Sequence, residues 1–152
     1  MRICPSNAKI PSYDKFDIVN NYKYKVALIA PSFYGQFDDI KDINYILTAF
    51  RNIGFDFVYE VGIGAELVSQ VTQRLFADDK LKKPIISTAC PAVLELVSQR
   101  FENLLGNLLP LLAPVDVAAK LAREKVAKRG VAEEDIGVFF ISPCPAKVYA
   151  LK

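Results

Sequence analysis

The chain has 152 residues, 52% of them hydrophobic and 24% charged, with a net charge of +2. That length suits one domain or one large lobe with a real apolar core, and the near-balanced charge supplies no basic stripe for nucleic acid. Histidine is absent, which removes the commonest general base and zinc ligand and leaves any chemistry to Cys, Lys, Ser, Asp or Glu.

Residues 1–20 show no steady period and hold Pro5, Pro11 and Asn20; they read as a linker or tail. Met1 to Pro5 lacks the apolar segment of a signal peptide. The most apolar run, Leu104 to Val115, is broken by Gly106, Asn107, Pro110 and Pro114 and is too short to cross a bilayer. A cytoplasmic protein with no membrane contact is expected.

From Tyr24 the pattern changes. KVALIA (Lys25 to Ala30) is a short continuous apolar run, the mark of a strand covered on both faces. Ile43, Ile46, Leu47 and Phe50 then fall three and four apart, so they share one helical face, closed by Gly54. FVYEV (Phe57 to Val61) predicts the next strand. Gly62-Ile63-Gly64 follows as a tight strand-to-helix turn, since a dinucleotide fingerprint would need a third glycine after the first strand. The helix after it turns Leu67, Val68, Val71, Leu75 and Phe76 inward.

PIIS (Pro84 to Ser87) predicts a third strand that runs into Thr88-Ala89-Cys90-Pro91, and Val93, Leu94, Leu96 and Val97 resume helical spacing. A helix from about Val115 to Arg129 ends at Gly130. Its basic stretch, Lys120 to Arg129, reads as a solvated face with cations toward the helix C-terminus. Ile136 to Ile141 is the fourth strand. Strands alternating with helices predict an α/β fold of about four parallel strands with right-handed crossovers.

Three expected strands end in loops of similar chemistry: Ala30-Pro31-Ser32, Ala89-Cys90-Pro91 and Pro143-Cys144-Pro145. In a parallel sheet they emerge at one edge, the carboxyl edge, where open α/β sheets place ligands. Each thiol also sits at a helix start, where free N–H groups favour a thiolate, and the neighbouring prolines stiffen the loops. Against a ligand role stands the tendency of free cysteine to be simply buried. A disulfide is disfavoured in a reducing compartment; two thiols without histidine fall short of a zinc shell, and an iron–sulfur cluster needs about four thiolates. On these residues the site is half built.

IAPS (Ile29 to Ser32), STACPAV (Ser87 to Val93) and SPCPAK (Ser142 to Lys147) resemble the catalytic domain of the iron-only ([FeFe]) hydrogenases, whose first two signature loops read close to TSCCP and MPCxxKxxE. The resemblance covers about residues 24–152 and implies one lobe of that fold: a lobe over 21–152, ending before the third cluster-binding loop, with 1–20 as linker or the end of a ferredoxin-like module. It implies that Cys90 and Cys144 ligate the [4Fe-4S] part of the H-cluster. It also implies that Lys147 holds a cyanide of the di-iron subcluster through a charge-assisted hydrogen bond, and that Ala30, Pro31 and Ser32 pack on that subcluster. Cys4, followed by Pro5, resembles the last ligand of a ferredoxin motif.

The departures matter as much. Ala89 and Ala150 stand where the family's proton relay has a cysteine and a glutamate; Ser142 replaces a methionine and Val115 a cluster-touching glutamine. Such losses resemble the sensory or divergent branch, and the chain alone is expected to be inactive and to carry no cluster. The implied partners are the remaining half of the hydrogenase-like domain and a ferredoxin-type electron-transfer module, with self-association through the face that half would cover. A non-metal α/β binding module and a thiol redox switch using Cys90 and Cys144 are the other readings.

Overall fold

The computed structural model describes residues 13–77 and 81–151. Its sheet has strands β1 (Tyr24–Ile29), β2 (Phe57–Glu60) and β3 (Ile136–Ile141), all parallel, in the order β2-β1-β3. β1 is central. Val26 pairs with Phe57 on one side and Val138 on the other, and Val26 to Ile29 are fully buried. The unbroken apolar run of this strand follows, because helices cover both of its faces and neither can be polar.

Two crossovers supply those helices. Between β1 and β2 lie α1 (Pro31–Tyr34) and α2 (Ile43–Asn52); between β2 and β3 lie α3 (Val61–Ala77), α4 (Pro91–Arg100) and α5 (Pro114–Ala127). Asp42 caps α2 by accepting from the Asn44 N–H at 2.9 Å. Gly54, at φ +108°, turns the chain out of that helix. Ile46 and Phe50 face Ala27, Ile29 and Phe55 in one core. The other core sets Val115, Ala118, Ala122 and Val126 of α5 against Val26, Leu28 and Ile136.

The α/β parallel reading holds with three strands rather than the expected four. Pro84 to Ser87 does not join the sheet. Only Ile86 makes a ladder contact, a parallel bridge in which its N–H donates to Asn107 O and its carbonyl accepts from the Leu109 N–H, both at 2.8 Å. Pro84 has no N–H to give, and the backbone groups of Ile86 are taken by Asn107 and Leu109 rather than by a sheet strand.

Gly62 and Gly64 lie inside α3 rather than in a turn before it. A Cβ on Gly64 would meet the Pro114 carbonyl oxygen, and Ala118 N at 2.9 Å. This glycine serves the close approach of α3 to α5. The inward face expected for α3 is also only partly covered: Val68 and Leu75 are half-buried, while Leu67, Val71 and Phe76 are exposed.

The basic stretch of α5 is not wholly solvated. Arg129 stands 4.8 Å above the Phe57 ring and donates to the Tyr24 hydroxyl at 3.2 Å, and Lys125 lies over Phe57 and Tyr59. These cations cover aromatic faces at the amino end of the sheet. Of the stretch expected as linker, residues 1–12 lie outside the described residues. Phe16–Asn21 forms a 3-10 turn that buries Val19 and sets Phe16 edge-on to Phe55.

Candidate functional site

β1 and β3 end side by side. Ile29 is in register with Ile141, and the Ala30 N–H donates to Ile141 O at 3.1 Å. The Ala30-Pro31-Ser32 loop and the Ser142 to Pro145 loop therefore leave the same edge of the sheet. No sheet strand precedes Cys90, so strand direction does not carry it to this edge as expected. It stands at the start of α4, and α4 packs against α6 (Pro145–Ala150), which begins just after Cys144.

The two cysteines share a backbone device. Each occupies the N-cap position in an extended conformation (φ −109°, ψ 112° for Cys90; φ −89°, ψ 107° for Cys144), with proline at the first helical position. Proline forces this: it clashes with an α conformation in the residue before it, and its own φ is already helical. The Cys90 carbonyl accepts from the Val93 and Leu94 N–H groups, and the Cys144 carbonyl accepts from that of Val148 at 3.2 Å.

Hydroxyls hold the loops from behind. Ser142 Oγ accepts from the Cys144 N–H at 3.2 Å, and Ser87 Oγ accepts from the Ala89 N–H at 3.4 Å. The Thr88 hydroxyl lies 3.1 Å from Leu109 O and 3.0 Å from Leu111 O, donating its one proton to either. That ties the Cys90 loop to the segment leading into α5.

Cys90 is exposed and Cys144 half-buried; both are free thiols. Lys147 lies half-buried on α6, two residues past Pro145, and Ala150 is exposed at the far end of that helix. Ala89 is half-buried beside Cys90, Ala30 is buried, and Pro31 and Ser32 are exposed. Val115 is buried in the core at the start of α5. Cys4 lies outside the described residues.

The description "Iron only hydrogenase large subunit, C-terminal domain" belongs to the family whose profile matches residues 23–151. The chain belongs to this family. Subunit HndD of the NADP-reducing hydrogenase of Solidesulfovibrio fructosivorans is 25% identical over 111 residues, which is 66% of this chain and 19% of HndD. An [FeFe]-hydrogenase structure concerned with oxygen inactivation of the H cluster superposes with a TM-score of 0.64 at 20% identity, covering 84% of this chain and 36% of that one. A variant of HydA1 from Chlamydomonas reinhardtii gives 0.61 at 20% identity, over 82% of this chain and 34% of its own. The chain thus spans about a fifth of its curated hydrogenase relative and about a third of these solved hydrogenases.

The hydrogenase-type cluster asks more than this chain offers. Two thiols presented on packed helices fit as half of a set of about four thiolates. Among the described residues no group of three or more His, Cys, Asp or Glu gathers to complete it.

One polar pair was missed in the sequence. The Tyr34 hydroxyl donates to Glu60 Oε2 at 3.0 Å, bridging α1 to the last residue of β2 at the same sheet edge. Burial, reinforced by the hydrogen bond and charge of Glu60, raises the Tyr34 phenol well above the ordinary tyrosine range. The available signal was positional: a phenol just after IAPS and a carboxylate ending a strand both belong at the carboxyl edge.

Proposed function

We propose that this chain supplies one lobe of an iron-only hydrogenase-type domain, with Cys90 and Cys144 as two thiolate ligands of a [4Fe-4S] cluster. In the same reading Lys147 donates to a cyanide of the adjoining di-iron subcluster, against which Ala30, Pro31 and Ser32 pack. The lobe occupies 21–152, with 1–20 as linker or the end of a ferredoxin-type module and Cys4 as a further candidate ligand. The observation that carries this is the pair of Cys-Pro helix starts on helices that pack together.

A complete H-cluster supplies reversible electron and proton chemistry on hydrogen; this chain's part is to hold iron and cyanide. Its relay positions are inert, since the methyl groups of Ala89 and Ala150 neither accept nor donate a proton. The reading is therefore a cytoplasmic sensor or divergent relative rather than a fast catalyst, inactive as this chain alone. Its partners are the remaining hydrogenase-type domain and a ferredoxin-type module, with self-association of the lobe when they are missing. No helix among the described residues is long and apolar enough to cross a membrane.

The test is anaerobic iron and sulfide reconstitution of the chain mixed with a polypeptide carrying the rest of a hydrogenase-type domain. Bound iron and visible charge-transfer absorption are expected for the wild type and lost in Cys90→Ala and Cys144→Ala. Equal iron in wild type and Cys144→Ala refutes the assignment.

A further inference from the structure

The Ala30-Pro31-Ser32 loop and α1 are held between the two neighbours of β1. On one side the Ala30 N–H donates to Ile141 O at 3.1 Å, carrying the β1–β3 ladder one residue further. On the other the Tyr34 hydroxyl donates to Glu60 Oε2 at 3.0 Å. Glu60 is the β2 residue in register with Ile29, the last residue of β1. The two bonds therefore bracket the loop where it leaves the sheet.

α1 does not set its own direction. It has four residues, and its N-cap Ala30 offers no side-chain bond; a single turn fixes more dihedrals than its own hydrogen bonds offset. Gln36 Nε2 donates to Ser32 O at 3.2 Å, which closes the turn on itself without tying it to the sheet. Phe33 lies 5.6 Å from the Phe50 ring, an apolar contact that attracts but leaves α1 free to roll. The Tyr34 bond is directional and fixes that roll. Ser32 and Tyr34 are two positions apart, about 200° around a helix. With Tyr34 turned in to Glu60, Ser32 is sent to the opposite side; Pro31 and Ser32 are exposed while Phe33 and Tyr34 are half-buried. Burial and the neighbouring carboxylate keep the phenol protonated, so the donor is permanent.

We infer that Tyr34 and Glu60 are a positioning pair, which fixes the roll of α1 and so aims Pro31 and Ser32 at the ligand their loop packs on. The inference rests on the reading above that this ligand is a di-iron subcluster, although the bond itself needs no iron. Both residues act through the loop and not by touching the ligand.

The test has two arms. The first is backbone NMR relaxation of the 152-residue chain at a temperature where every variant is folded. Ser32 and Phe33 of the wild type are expected to share the rigid order parameter of β1, about 0.85. Tyr34→Phe keeps the ring but removes the donor, and both values fall toward about 0.6, while Ala30, held by Ile141 O, stays rigid. Glu60→Ala does the same, and the double variant goes no further, because one bond is lost in each case. Glu60→Gln keeps an acceptor oxygen and restores the wild-type values. A bond that only adds stability leaves the order parameters of the folded chain unchanged. The second arm reads the cyanide infrared bands of the chain combined with a polypeptide carrying the rest of a hydrogenase-type domain and its H-cluster. Tyr34→Phe displaces those bands with the iron content unchanged.

Order parameters at Ser32 and Phe33 that stay rigid in Tyr34→Phe and Glu60→Ala overturn the pair and leave the cluster reading as it stands. Values already low in the wild type do the same. A loosened loop with unmoved cyanide bands overturns the aim of the loop at the ligand. Equal iron in wild type and Cys144→Ala removes the ligand, and with it the positioning role, even where the loop has loosened. Should Tyr34→Phe fail to fold, Glu60→Ala reads the same bond.

Discussion

Two glycines one turn-fragment apart in α3 provide a sharp test of the packing that positions the start of α5. Gly62 and Gly64 are both helical, so replacing either by alanine removes unfolded-state freedom and gains about 0.5–1 kcal/mol. At Gly62 nothing lies within 4 Å of the new methyl group. Only the gain remains there, toward its lower end because the site is in the first turn. At Gly64 the methyl meets the Pro114 carbonyl, Ala118 N at 2.9 Å and Ala118 Cβ at 3.1 Å. Two of those are backbone atoms that no rotamer change can move, so α3 must lift off α5. Overpacking of this kind costs about 1–3 kcal/mol and exceeds the gain. The net expectation is Gly64→Ala destabilised by about 1–2 kcal/mol and Gly62→Ala stabilised by a few tenths. Urea denaturation of the pair measures both. With a slope of about 1–3 kcal/mol per molar, Gly64→Ala unfolds at distinctly lower urea than wild type. A Gly64→Ala midpoint at or above that of the wild type refutes the close-approach account, and Gly62→Ala shows whether helix propensity was judged correctly.

Two further outcomes follow from half-buried and buried polar groups. Tyr34→Phe loses the bond to Glu60 and costs about 1–2 kcal/mol at neutral pH. Because folding raises the Tyr34 pKa, its share of stability is present below the unfolded tyrosine value near 10 and drains away as pH climbs from there. The wild type should thus lose its advantage over Tyr34→Phe in alkaline urea titrations; parallel curves contradict the assignment. Asn107 is buried, and its amide donates to Pro84 O at 2.7 Å. Asn107→Ala removes that donor but also a buried amide oxygen that has no partner, so it is expected to destabilise by only about 0.5–1.5 kcal/mol in thermal or urea unfolding.

Much of the frame was legible before any coordinates. KVALIA declared a strand buried on both faces, the Ile43 to Phe50 spacing declared α2, and Gly54 and Gly130 marked helix exits where φ is positive. These signals are local, written by periodicity and by backbone sterics. What failed was non-local. PIIS has the composition of a strand, yet whether it joins the sheet depends on a free neighbour, and its backbone finds Asn107 and Leu109 instead. Gly64 looked like a turn glycine because nothing in its own neighbourhood mentions Ala118, fifty-odd residues away. The site behaved similarly. The loops after β1 and β3 could be placed together from strand direction alone, whereas the helices that follow Cys90 and Cys144 meet through the packing of α4 on α6, which periodicity does not encode.

The helix starts show where stability and site design part. α2 begins with Asp42, a good cap that bonds the Asn44 N–H. α1, α4, α5 and α6 begin after Ala30, Cys90, Ala113 and Cys144, none of which gives a side-chain capping bond. An Asp or Ser at such a position is worth about 1 kcal/mol over alanine, so stability is forgone at each of them, and proline at the first helical position offsets part of the loss by fixing φ in advance. A capping oxygen would fold back onto the helix N–H groups. A methyl or a thiol leaves those groups and the space before them open. Two of these four uncapped starts carry sulfur, and they are the two whose helices pack together. Helix energetics does not ask for cysteine at either place, and the ligand role proposed for Cys90 and Cys144 would account for that choice.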